Sequence, residues 1–250
     1  MNEQNLVWGL HPVRETLARA PERVLELWVL GGRADERMEA VLELARAQGI
    51  ACQAVRRDTL DGMAQGGTHQ GVVARLAAAA PLDEDDLEAL LDRLQAPPLL
   101  LVLDGVQDPH NLGACLRSAD AAGAAAVIVP RDRAAGLTPV VRKVAAGAAE
   151  TVPLVAVVNL ARTLRGLQER GVWLVGTDDT AERTLYDADL AGPVAVVMGS
   201  EGEGLRRLTR DSCDQLVSIP MAGAVESLNV SVATGIVLFE AVRQRSAKKK

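Results

Sequence analysis

Three segments in the last 150 residues gather side chains suited to polar chemistry: NLGACLR at 111–117, VVMGSEGEGL at 196–205 and SIPMAGAVESLNVSVATGI at 218–236. The turn Gly199-Ser200-Glu201-Gly202-Glu203-Gly204 follows an apolar run and opens a predicted helix. Glycines at such a place let backbone groups approach a ligand that side chains would exclude; a bare strand-to-helix turn is the alternative. The spacing is neither GxGxxG nor GxxxxGK[ST], so a dinucleotide or Walker-type phosphate site fits poorly. Two glutamates in the turn would repel a phosphate and suit a cationic guest. Asn111 and Arg117 lie six apart, which on a helix turning about 100° per residue places them some 120° apart. They converge only if Asn111 caps the helix and points across its mouth, and an Asn N-cap alone would account for that residue.

The elements that must position these residues read as alternating strand and helix from Leu99 onward. LLLVLDGV is a continuous apolar run of the kind buried on both faces of a sheet. It is followed by a predicted helix over 111–122, a stop at Gly123 and the strand AAAVIVP. Later runs VWLVGTD, PVAVVMG and QLVSIP read as strands, with helices around 159–170, 203–213 and 229–245. The predicted class is α/β with a mainly parallel sheet. The first 76 residues form a smaller α/β unit: HPVRETLARA and DERMEAVLELARAQG have helical spacing, while VLELWVLG, IACQAV and THQGVVARL read as strands.

Charge separates the two. Residues 1–75 hold 9 Lys and Arg against 10 Asp and Glu, residues 76–98 hold 1 against 6, and residues 99–250 hold 17 against 17. The net −6 therefore sits mainly in AAAAPLDEDDLEALLDRLQAPP, read as a solvated acidic linker over 77–98 with a helical turn or two. Domains are expected at 1–76 and 99–250. Basic residues cluster at Arg131 and Arg133, Arg142 and Lys143, Arg206, Arg207 and Arg210, and Arg243, Arg245 and lysines 248–250. Such clusters make phosphate-binding surfaces or solvated helix faces. The opening residues lack a signal peptide's apolar run and no stretch of about 18 apolar residues occurs, so a cytoplasmic protein without membrane spans is expected. Cys52, Cys115 and Cys213 are far apart and without nearby His ligands, which suggests buried thiols, neither disulfides nor a metal site.

The three segments, in this order and closing on SLNVSVATGI, resemble the signature motifs of the SpoU class of SPOUT methyltransferases. These enzymes move a methyl group from S-adenosylmethionine to a ribose 2′-hydroxyl of RNA. The resemblance covers nearly the whole chain, and it implies a deep trefoil knot in the C-terminal domain, which periodicity does not show. The opening WGLHPVRE and the closing HQGVVA are similar to the ribosomal-protein-L30-like domain that helps to capture RNA in this class. His11 and His69 are thereby candidate RNA contacts, with a structural role the alternative. Carried over motif by motif, the resemblance implies Arg117 as the main catalytic side chain, with Asn111, Glu201, Ser227 and Asn229 as polar active-site residues. It implies Gly199, Ile219, Pro220, Met221 and Leu228 as the S-adenosylmethionine site, and Glu150 as a residue orienting Arg117 or the substrate. It further implies a guanosine in the peptidyl-transferase region of 23S rRNA as substrate, and a homodimer. A tRNA ribose methyltransferase of the same class and a non-catalytic RNA-binding factor are the alternatives. Glu226, just before SLN, departs from the small polar residue expected there.

Overall fold

A computed structural model describes residues 6–33, 35–64, 66–77, 82–132, 134–225 and 227–247. Arg133, Glu226 and lysines 248–250 lie outside the described residues. The chain divides into two compact units, 1–80 and 81–250.

The first unit carries a four-stranded sheet of order β1-β4-β2-β3, formed by β1 (Leu6–Trp8), β2 (Val24–Leu30), β3 (Cys52–Val55) and β4 (Val72–Leu76). Helices α1 (Leu10–Arg19) and α2 (Glu36–Ala47) pack on one another. Val13, Leu17, Met38 and Val41 of these helices join Leu27, Val72 and Ala74 of the strands in one core. Strand β1 and a third helix, α3 (Arg57–Ala64), carry no clear period in the sequence and were not expected. The WGLHPVRE and HQGVVA segments are stitched together: the Leu10 N–H donates to the side-chain oxygen of Gln70 (3.1 Å) and the Gly9 N–H to the Val72 carbonyl (3.2 Å).

In the second unit the acidic segment is not a free linker. Asp83 caps α4 (Glu84–Arg93), its side chain accepting from the Asp85 and Asp86 amides, while Asp86 answers with a bond from the Asp83 amide. Leu87 is buried against the unit's core, and the Ala156 amide donates to Leu82 (2.8 Å). Leu87 and Leu91 recur at helical spacing behind the acidic residues and pack on this core, and burial of that pair outweighs the bias of the charges toward solvent.

Six parallel strands follow: β5 (Leu99–Asp104), β6 (Ala126–Pro130), β7 (Leu154–Val157), β8 (Trp173–Thr177), β9 (Val194–Gly199) and β10 (Gln215–Val217), in the order β10-β8-β9-β5-β6-β7. Leu99, Leu101 and Leu103 face one core with α5 (Pro109–Ala121), α6 (Pro139–Ala145) and α9 (Val230–Ala247). Leu100 and Val102 face the other, with α4 and α7 (Leu160–Glu169). Helices on both faces explain why these strands are apolar throughout. Strand β7 and α6, which are short, were not anticipated. Helix α5 stops as expected: Gly123 has φ +70°, and the Gly123 and Ala124 amides return to the Asp120 and Ala119 carbonyls. From β5 the chain moves outward through β6 and β7, then returns to place β9 on the opposite side of β5. In open α/β sheets, the crevice beyond the C-terminal ends of strands at such a reversal is where ligands bind.

Candidate active site

At that reversal β5 ends on Asp104 and β9 ends on Gly199. A Cβ on Gly199 would fall 2.1 Å from the carbonyl carbon of Gly204, so no other residue fits there without moving the loop. The Ser200 and Gly204 amides donate to each other's carbonyls (3.1 and 3.0 Å), which closes the glycine turn into a tight hairpin. Its exit is pinned to β5. Asp104, fully buried, accepts from the Arg206 amide (3.1 Å) and its Nε (2.6 Å). Helix α8 (Arg207–Ser212) begins only after this clamp, four residues later than its expected start at 203.

The N-cap of α5 is Asp108, whose side chain accepts from the His110 amide (2.9 Å), with Pro109 in the first helical position. Asn111 is therefore inside the first turn, not the cap that the sequence reading offered for it. An Asp-Pro pair is a strong helix start and was the overlooked signal. Freed from capping, the Asn111 side chain is buried and its oxygen accepts from Asn229 Nδ2 (2.9 Å). Asn229 is itself the cap of α9: its oxygen accepts from the Ser231 amide (3.0 Å) and hydroxyl (2.6 Å). Its Nδ2 also reaches Glu201 Oε1 (2.5 Å), which accepts from the Val230 amide (3.3 Å) as well. The Glu201 carboxylate thus sits at the N-terminus of an 18-residue helix, where the helix dipole favours negative charge. One residue from each of the three sequence segments meets in this knot of hydrogen bonds.

The knot borders a cleft of about 370 Å³ lined by residues 105–108, Asn111, Ser200, Glu201, Glu203 and Val230. Its lining carries three carboxylates and no basic side chain, so it favours a cation or a hydrogen-bond donor over a phosphate. Residue by residue, Asn111, Glu201 and Asn229 converge, and Gly199 ends the strand that leads into the Glu201 hairpin. Arg117 is exposed on α5, does not line the cleft and makes no hydrogen bond or ion pair among the described residues. Ser227, Pro220 and Met221 are exposed, Leu228 is half-buried, and Ile219 packs against the main core; none of them lines the cleft. Glu150 is nearly buried and paired with the equally buried Arg142. His69 is a structural residue: it is buried, Nδ1 accepts from the Gly71 amide (3.0 Å) and Nε2 bonds Asp61 (2.9 Å).

Several basic clusters are also committed internally. Arg206 holds Asp104, Arg210 holds Asp178 (2.9 Å), Arg243 holds Glu240 (2.7 Å), and Arg245 reaches the carbonyls of Pro97 (3.0 Å) and Pro98 (2.8 Å). Lys143 and Arg131 are exposed. Burial pushes the Cys115 thiol up to about 11 and Cys213 to about 12, so both remain protonated at neutral pH. No cluster of three metal-ligating side chains occurs among the described residues, and none of their helices is long and apolar enough to cross a membrane.

The fold and crevice define an α/β protein with a cleft bordered by loops at the C-terminal ends of parallel strands. Residues 98–239 match the SpoU rRNA methylase family, and residues 6–82 match the RNA 2′-O ribose methyltransferase substrate-binding domain. The chain belongs to the SpoU rRNA methylase family. It is 59% identical over 245 residues to the 23S rRNA (guanosine-2′-O-)-methyltransferase RlmB of Shewanella oneidensis, covering 98% of this chain and 99% of that protein. The RlmB of Haemophilus influenzae is 60% identical over 246 residues, with the same coverage. The SpoU methyltransferase AviRb from Streptomyces viridochromogenes, solved in complex with AdoMet, superposes with a TM-score of 0.79 at 30% identity, over 97% of this chain and 90% of that one.

Proposed function

We propose that the protein methylates the ribose 2′-hydroxyl of a guanosine in 23S rRNA, in the peptidyl-transferase region, with S-adenosylmethionine as donor. The observation that carries this reading is the meeting of Asn111, Glu201 and Asn229 at one cleft, in a chain that aligns end to end with proteins named for that reaction. The acidic lining and the glycine hairpin suit a sulfonium, and the loop bearing Ile219, Pro220, Met221 and Leu228 supplies apolar surface and free backbone for the rest of the cofactor. When bound, S-adenosylmethionine supplies an electrophilic methyl: the 2′-oxygen to carbon bond forms as the carbon to sulfur bond breaks, and the hydroxyl proton departs.

The residues of this chain then have two tasks, alignment and charge management. Asn111 and Asn229 fix the cleft wall, and Glu201 with Ser227 orients the ribose hydroxyl. A guanidinium stays protonated at any working pH, so Arg117 serves by gripping the neighbouring phosphate and stabilising negative charge on the 2′-oxygen. The proton passes to that phosphate, to Glu201 or to water. Because Arg117 stands outside the cleft, its site is completed by RNA and by a second protomer. Helix α9 supports a homodimer, with Val232 and Phe239 half-exposed and Ile236 between them on one stripe. The N-terminal unit captures RNA, and the protein works in the cytoplasm. The test is incubation with S-adenosylmethionine and 23S rRNA or tRNA, followed by nucleoside mass spectrometry. 2′-O-methylguanosine from the rRNA is expected. Methylation of tRNA alone, or of neither, overturns the reading.

A further inference from the structure

The three carboxylates of the cleft differ in one respect. Asp108 is spent on capping α5, and Glu201 is spent on Asn229 and the start of α9. Glu203 lines the same cleft yet makes no hydrogen bond or ion pair among the described residues. Its backbone is held in place: it stands between Gly202 and Gly204, at φ +82° and +65°, on a hairpin closed by the reciprocal Ser200 and Gly204 bonds. The unpartnered Glu203 carboxylate is carried by the same hairpin as Glu201, two residues further on, and borders the same cleft as the group assigned to the ribose. A carboxylate offers two acceptors side by side and no donor. Among the nucleobases, guanine alone presents two adjacent donors, N1–H and the 2-amino group, on its Watson–Crick edge; adenine offers an acceptor at N1. RNA-modifying sites read such edges on bases splayed out of the stack.

We propose that Glu203 is the residue that selects guanosine, its two carboxylate oxygens accepting from N1–H and the 2-amino group of the target base. This rests on the guanosine reading above. A charge-assisted pair of bonds of this kind discriminates by roughly ten- to a hundredfold against a base that lacks them. Glu201, already bonded twice within the chain, is left to the ribose, and Asp108 to the helix.

The experiment compares wild-type protein with Glu203→Gln and Glu203→Ala on a 23S rRNA fragment carrying guanosine, inosine or adenosine at the target position. S-adenosylmethionine affinity is measured separately by calorimetry. The wild type should prefer guanosine to inosine, which lacks the 2-amino group, by about tenfold or more in kcat/KM, and to adenosine by more still. In Glu203→Ala the preference for guanosine over inosine should collapse to within about threefold while the cofactor Kd stays within about threefold. Glu203→Gln, which keeps one acceptor and turns a donor toward the base, should lose guanosine activity at least as far. A Glu203→Ala variant that keeps the wild-type base preference overturns the proposal, as does one whose deficit lies wholly in cofactor binding. A wild-type protein inactive on every fragment would instead overturn the guanosine methylation reading itself, so the two failures are distinguishable.

Discussion

Polar side chains around the crevice fall into two sets. Asn111, Asn229, Glu201, Asp104 and Arg206 are bonded to one another within the chain, whereas Arg117, Ser227 and Glu203 are exposed and have no such bonds. The first set ties three segments, the outer two bonded to each other across 118 residues, into one wall, and a change there is felt as shape. The second set waits for a partner from outside, and a change there is felt only when RNA, cofactor or a second protomer is present. Asp104 and Asn111 are buried and must find partners within the fold; Arg206, Glu201 and Asn229, which reach the surface, are those partners or are bonded to them, while side chains without such bonds remain available for recognition. This division predicts which variants lose function alone and which lose stability as well.

The largest effect is expected at Arg117. Arg117→Ala should cut turnover by about a hundredfold or more, the scale on which a positioned charge-stabilising group acts. Cofactor affinity should stay within about tenfold, roughly 1.4 kcal/mol, and the melting temperature should be unmoved, since an exposed side chain without partners holds nothing. Arg117→Lys keeps the charge but not the planar fork, and should rescue little. A Lys variant with near-normal turnover, or an Ala variant that melts several degrees early, would erase the distinction between the two sets.

Asp104→Asn attacks the bonded set. Asp104 is fully buried and Arg206 is partly exposed, so the unpaired guanidinium can turn to water and the cost falls short of that for a wholly buried pair. The melting temperature should drop by a few degrees. Cofactor affinity should weaken by about tenfold, because the hairpin that bears Glu201 loses its anchor to β5. Normal thermal unfolding and normal calorimetry together would show that the clamp positions nothing.

The sheet and the three converging segments were legible in the sequence; the partnerships were not. Continuous apolar runs marked β5, β6, β8 and β9 because burial on both faces leaves no room for polar residues. Strand β7 has only four residues and α6 only seven, too few to establish a period. Helix α4 was obscured by its five acids and the capping Asp83, although its leucines recur at helical spacing. In the site, Asp104 looked like an ordinary strand end and Arg206 like one of a basic trio; only folding, across 102 residues, shows that each is the other's partner. The helical angle between Asn111 and Arg117 was correct, and its consequence is that they face different ways. A shortened chain tests the α4 assignment. Starting at Leu82 it should bind cofactor as the full chain does, whereas starting at Pro97 removes Leu87 from the core, worth about 1.5–3 kcal/mol, and should melt roughly 5 °C or more lower. Equal melting of the two fragments would return α4 to the status of a linker.

The smallest expected effect separates two arginines of one cluster. Arg210 is held by Asp178 (2.9 Å) and reaches Thr180 (3.3 Å), while Arg207, 92% exposed in its side chain, has only a loose contact with Asp211 at 3.6 Å. If α8 faces RNA, the free guanidinium is the one that meets a phosphate, since moving Arg210 would strand the carboxylate of Asp178. Each phosphate neutralised on a single strand contributes about 0.7 to the slope of log affinity against log salt. Arg207→Ala should therefore lower that slope by about 0.7 and weaken binding of a 23S rRNA fragment only a few-fold near physiological salt. Arg210→Ala should leave the slope unchanged and lower the melting temperature by a degree or two. The reverse pattern, with the slope falling for Arg210 and not for Arg207, would mean that RNA recruits side chains from internal ion pairs, and that in-chain bonding does not foretell which residues recognise a partner.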